Sequence, residues 1–91
     1  MTSEPLPTAA RSLREASEAA SDEDVSERLE SQAIQFESLA ADDRGPDHGR
    51  LARHEHILAE ISDEEGDGPV VEHIGEALTA IKTYRETLEG V

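Results

Sequence analysis

At 91 residues the chain has the length of one small domain with one core, since domains typically run to about 100–200 residues and short chains bury little surface. Asp and Glu total 22 against 8 Lys and Arg, a formal net charge of -14, which argues against nucleic acid or a membrane surface as partner because both are bound through basic side chains. The absence of cysteine excludes disulfides, thiol catalysis and thiolate metal sites.

Residues 1–7, with Pro5 and Pro7, read as an extended head. Thr8 is a cap for a first helix over 9–20, where Ala9, Leu13, Ala16 and Ala20 recur at helical spacing. That helix does not run on into the next segment. At about 100° per residue, Val25, Leu29 and Phe36 lie roughly 120 to 160° from Leu13, so the apolar stripe changes phase near Ser21. Ser21 with Asp24 resembles a capping box, and Asp22, Glu23 and Asp24 place negative charge where the helix dipole favours it.

The second helix, over 22–41, turns Val25, Leu29, Ala33, Phe36 and Leu39 inward and leaves Ile34 on its opposite face. Gly45 and Pro46 punctuate a loop, and Asp47 caps a third helix over 48–62 with Leu51, His54, Leu58 and Ile61 in its seam. An acidic, glycine-bearing loop precedes Pro69, which suits the first position of a fourth helix over 69–89. There Val70, Ile74, Ala77, Ile81, Tyr84 and Leu88 alternate at spacings of four and three, the pattern of helices packed at shallow angles. No segment alternates in the manner of a strand, so the expected fold is all-α: a small antiparallel bundle of three to four helices with short loops.

The charge pattern, with Lys82 as the single lysine and abundant alanine, suits a molar-salt cytoplasm, where a Debye length of about 3 Å suppresses self-repulsion. High charge with low hydropathy also marks disordered chains, but the regular apolar spacing argues for folded helices. No apolar run approaches the roughly 20 residues of a membrane span, and no signal peptide opens the chain, so a cytoplasmic setting is expected.

The four histidines are the first place to look for chemistry. His56 and Glu60 stand four residues apart and read as a solvated helical pair. His54 lies within the apolar seam and reads as a hydrogen-bonded core or interface residue, with a titrating function as the alternative. Residues 63–68 match part of a calcium loop, with acids at its first, third and fifth positions and Gly68 at its sixth. Position twelve, however, is Ile74 where a bidentate Glu is needed. Arg50, Arg53 and His54 mark the one locally non-acidic surface and offer an anion or partner contact at a helix N-terminus; pairing with neighbouring carboxylates is the simpler expectation for the arginines. No nucleophile elbow, phosphate loop or paired-acid motif occurs, so no catalytic, cofactor or metal residue is assigned.

The stretch from Gly45 to His54 (GPDHGRLARH), together with the tail from Tyr84 to Val91 (YRETLEGV), resembles a family of short haloarchaeal proteins of uncharacterised function. The resemblance implies a haloarchaeal source and a helical fold, and carries no activity. The expectation is therefore a non-enzymatic helical interaction module, self-associating as a homodimer through Ile34, Tyr84 or Leu88. The alternative is a small-ligand or metal-binding protein, with or without catalysis, using His54 or the 63–68 loop.

Overall fold

The computed structural model describes residues 4–42 and 46–88. Four helices follow in order: α1 Pro5–Ala19, α2 Glu23–Ala41, α3 His48–Glu65 and α4 Pro69–Glu86. Among the described residues there is no strand, and the fold is an all-α bundle. Successive helices run antiparallel, as the contacts Ser17–Ser26, Arg28–Glu64 and His48–Arg85 across the three helix junctions require.

The head expected as extended is helical from Pro5 onward. The reason is that a helix's first N–H groups have no intrahelical partner, so proline costs nothing there and its fixed φ favours the turn. Thr8 consequently lies inside α1, where its hydroxyl donates to the Glu4 carbonyl at 2.8 Å instead of capping. The corner between α1 and α2 is clasped reciprocally: the Ser17 hydroxyl donates to the Ser26 carbonyl at 2.8 Å and the Ser26 hydroxyl to the Ser17 carbonyl at 2.9 Å. Asp22, not Ser21, caps α2, its carboxylate accepting from the N–H groups of Asp24 at 2.8 Å and Val25 at 3.4 Å. Asp47 caps α3 by accepting from the Arg50 N–H at 2.8 Å.

α3 extends to Glu65, one turn past the expected end, and stops where Gly66 adopts φ 84°. That extension removes the calcium-loop geometry, because Asp63, Glu64 and Glu65 lie in a helical turn and only residues 66–68 remain to connect α3 to α4. α4 ends at Glu86; Glu89, at the expected end of the fourth helix, and Gly45, in the loop expected before the third, lie outside the described residues.

One apolar cluster fills the interior. Leu13, Leu29, Phe36, Leu51, Leu58, Ile61, Ile74 and Ile81 are fully buried, each contributing on the order of 1.5–3 kcal/mol relative to exposure. α1 contributes mainly Ala9, Ala10 and Ala16 besides Leu6 and Leu13, and these short side chains let it lie close along both α2 and α4. α3 packs on α4, whereas α2 and α3 stand further apart and meet through long polar side chains. This unequal spacing leaves a groove along the α2–α3 seam.

The α4 stripe is used inside the bundle: Val70, Ile74, Ala77 and Ile81 are buried, and Leu78, Tyr84 and Leu88 pack half-buried against the same core. Ile34 is the single large apolar side chain that is exposed among the described residues, at 52%.

Candidate functional site

The polar residues that matter most sit on the stripe positions of two helices. In α2 the sequence Val25, Leu29, Gln32, Phe36, Leu39 repeats at four and three, so Gln32 occupies an interior position and is 6% exposed. In α3 the same logic places His54 between Leu51 and Leu58, 5% exposed. The two meet across the seam, with Gln32 Oε1 and His54 Nδ1 2.6 Å apart.

An amide oxygen only accepts, so His54 donates through Nδ1 and carries its proton there when neutral. Its Nε2 then presents a lone pair and has no hydrogen-bond partner among the described residues. Phe36 supports the imidazole from the core side, ring centroids 4.8 Å apart and planes inclined by 58°. Burial, and after it the positive charges of Arg50 and Arg53, hold the His54 pKa below the ordinary histidine value. Burial thus disfavours the charged form of His54 on the floor of the groove.

Above this floor the groove divides into two open compartments that share Gln32 and Ile57. One, of about 530 Å³, is walled by Arg50, Arg53 and His54 from α3, by Gln35 from α2, and by Asp47 and Gly49 at the α3 N-terminus. The other, of about 710 Å³, is acidic, with Asp22, Asp24, Glu27 and Glu64 around Arg28. Arg28 donates to Glu64 at 3.3 Å across this second compartment.

Arg50 and Arg53 behave differently from Arg14, Arg28 and Arg85. Arg14 pairs with Glu37 through two bonds of 2.7 and 2.8 Å, which holds the Glu37 carboxyl below the usual carboxylate range. Arg85 bridges α4 to α3, donating to Glu55 at 2.5 Å and to His48 Nδ1 at 3.1 Å. Neither Arg50 nor Arg53 has a carboxylate within ion-pair distance among the described residues, contrary to the expectation that both would be absorbed by neighbouring acids. The structure therefore brings Arg50, Arg53 and His54 together on one wall. Ile34, Tyr84 and Leu88 lie elsewhere, the first alone on the outer face of α2 and the other two against the core.

Gln32 and Gln35 are the groove residues that reading for charged and metal-binding side chains passes over. The signal for Gln32 was present, since it stands at an unbroken four-three position of an apolar stripe; Ala33, one residue on, fills the core equally well and hides it. His56 and Glu60 form the expected exposed pair at 3.4 Å. His48 keeps its proton on Nε2, because Nδ1 accepts from Arg85; that Nε2 is the one buried side-chain polar atom without a partner among the described residues.

The model of a protein family described as a family of unknown function, DUF7553, matches residues 1–87. No curated protein and no solved structure matches the chain.

Proposed function

Because the chain belongs to DUF7553, a family of unknown function, we propose a role from its own geometry: a non-enzymatic helical binding module that takes an anionic group in the basic compartment of the α2–α3 groove. The observation that carries this reading is the pair of guanidinium groups, Arg50 and Arg53, unmatched among the described residues and beside buried His54 in a chain of net charge -14. Two cations without a carboxylate partner among the described residues can serve a carboxylate or phosphate oxygen, which arginine binds in a two-pronged geometry. The N-terminus of α3 borders the same compartment, where the Asp47 carboxylate already takes the Arg50 N–H, so the guanidinium groups and not the backbone amides supply the attraction. His54 fits binding better than chemistry, because its one partner, Gln32, is an amide that cannot relay a proton.

We place the protein in the cytoplasm of a salt-loving cell, where the charge of -14 is tolerated. At about 1 M salt, attraction beyond about 3 Å is screened, so contact-distance hydrogen bonds from Arg50 and Arg53 would have to supply the selectivity. The test is an NMR titration of the ¹⁵N-labelled chain with inorganic phosphate and with succinate. Saturable shifts at His54, Arg50 and Arg53 that vanish in Arg50→Gln/Arg53→Gln are expected. An unresponsive His54 with either anion would dismiss the groove as an anion site.

Exposed Ile34 favours a second reading, self-association of two copies through the outer face of α2. Light scattering in molar KCl checks it: a dimeric mass that reverts to monomer in Ile34→Asp supports the homodimer, and a monomeric mass at all concentrations removes it.

A further inference from the structure

On the side of the bundle opposite the groove, where α1 lies against α4, we infer a surface site for a divalent transition ion of the Zn²⁺ class, held by Glu15, His73 and Glu76. His73 Nδ1 is 3.5 Å from Glu15 Oε1 and 3.1 Å from Glu76 Oε1. One donor atom from each of the three residues lies within 4.8 Å of the other two. Zinc binds imidazole nitrogen and carboxylate oxygen at about 2.0–2.2 Å, so two ligand atoms of a tetrahedral zinc stand roughly 3.3–3.5 Å apart. The Glu15 distance matches that edge length and the Glu76 distance is shorter by a few tenths of an ångström, so a small side-chain rotation would seat the ion, with water completing the coordination.

The 3.1 Å hydrogen bond between His73 Nδ1 and Glu76 Oε1 accounts for one of the two carboxylates only. His73 Nδ1 carries at most one proton and can serve one carboxylate well, yet two carboxylates from different helices converge on it. The approach of Glu15 to Glu76 places like charges together in a chain already strongly negative, and a divalent cation between them reverses the sign of that interaction. The imidazole selects the class of ion, since Ca²⁺ and Mg²⁺ take oxygen ligands whereas zinc and its neighbours accept nitrogen. Glu76 lies three residues beyond His73 on α4, and Glu15 arrives from α1, so a bound ion would tie the two helices together. The site shares no residue with the α2–α3 groove and does not depend on the reading of that groove.

The experiment is a titration of the full chain, first treated with chelator, using Zn²⁺ by calorimetry and Co²⁺ by visible absorption. One saturable site is expected, with a Co²⁺ band of the intensity that marks four- or five-coordination and a rise in unfolding temperature of roughly 4 °C or more at saturating Zn²⁺. Glu15→Gln preserves shape and should weaken binding at least about tenfold, as should His73→Ala, while His56→Ala leaves it unchanged. Circular dichroism of each variant shows that it is folded. Absence of saturation overturns the site. So does a Glu15→Gln protein that binds like the parent, because the ion would then rest on the local His73–Glu76 pair alone.

Discussion

Gln32 on α2 and His54 on α3 share a 2.6 Å hydrogen bond inside the seam where the two helices otherwise stand apart. Both are more than nine-tenths buried, so each depends on the other for the polar interaction that water would supply in the unfolded chain. Replacing Gln32 by Leu leaves the His54 Nδ1–H without an acceptor and should cost about 1–3 kcal/mol. The double variant Gln32→Leu/His54→Leu should lose less than the sum of the two single variants. Urea unfolding of the four proteins measures the coupling.

The same residue gives stability a pH dependence of defined sign. Folding lowers the His54 pKa, mainly by burial, so between that lowered value and the ordinary 6.5 the unfolded chain binds more protons than the folded one. The contribution is complete above about pH 6.5 and declines as the pH falls through the folded pKa. His54→Leu should flatten this part of the stability profile, and the NMR titration of the His54 ring should fall below the ordinary histidine value.

Asp22, as the residue whose carboxylate caps α2, should lose about 1 kcal/mol on replacement by Ala. Ser21→Ala, one residue earlier, should change stability by less than about 0.5 kcal/mol. Thermal or urea unfolding of this pair distinguishes the cap seen in the structure from the Ser21 cap that the sequence suggests.

Phe36 is the chain's only phenylalanine, fully buried and in ring contact with His54. Phe36→Ala should cost about 3–5 kcal/mol through lost burial and the cavity left behind, a large part of the roughly 5–15 kcal/mol that a domain of ordinary stability has. It should also shift the His54 ring resonances, whereas Leu13→Ala, from α1, should destabilise without that signature.

How much of the molecule was legible beforehand follows from the range over which each feature is decided. The four helices, the break between α2 and α3 and the start of α4 at Pro69 come from local spacing, glycine and proline, and they need no knowledge of the rest of the chain. Where local signals were finely balanced, the reading slipped by a turn. Pro5 and Pro7, which read as part of an extended head, open α1, and the acids of 63–65, which read as loop, close α3.

The site residues divide in the same way. The sequence by itself determined the all-α class, the interior position of His54 and the concentration of basic charge around Arg50 and Arg53. Only the tertiary structure decided that Gln32 would meet His54, that Arg50 and Arg53 would have no carboxylate partner among the described residues, and that Glu15 would reach His73. These relations join residues 22 and 58 positions apart, or depend on which neighbour a helix does not touch. A period of 3.6 residues says which face of a helix turns inward. The rotation and offset of one helix against another are set by how side chains of different size interdigitate, here by the alanines of α1 drawing α2 and α4 close and leaving α3 at a distance from α2.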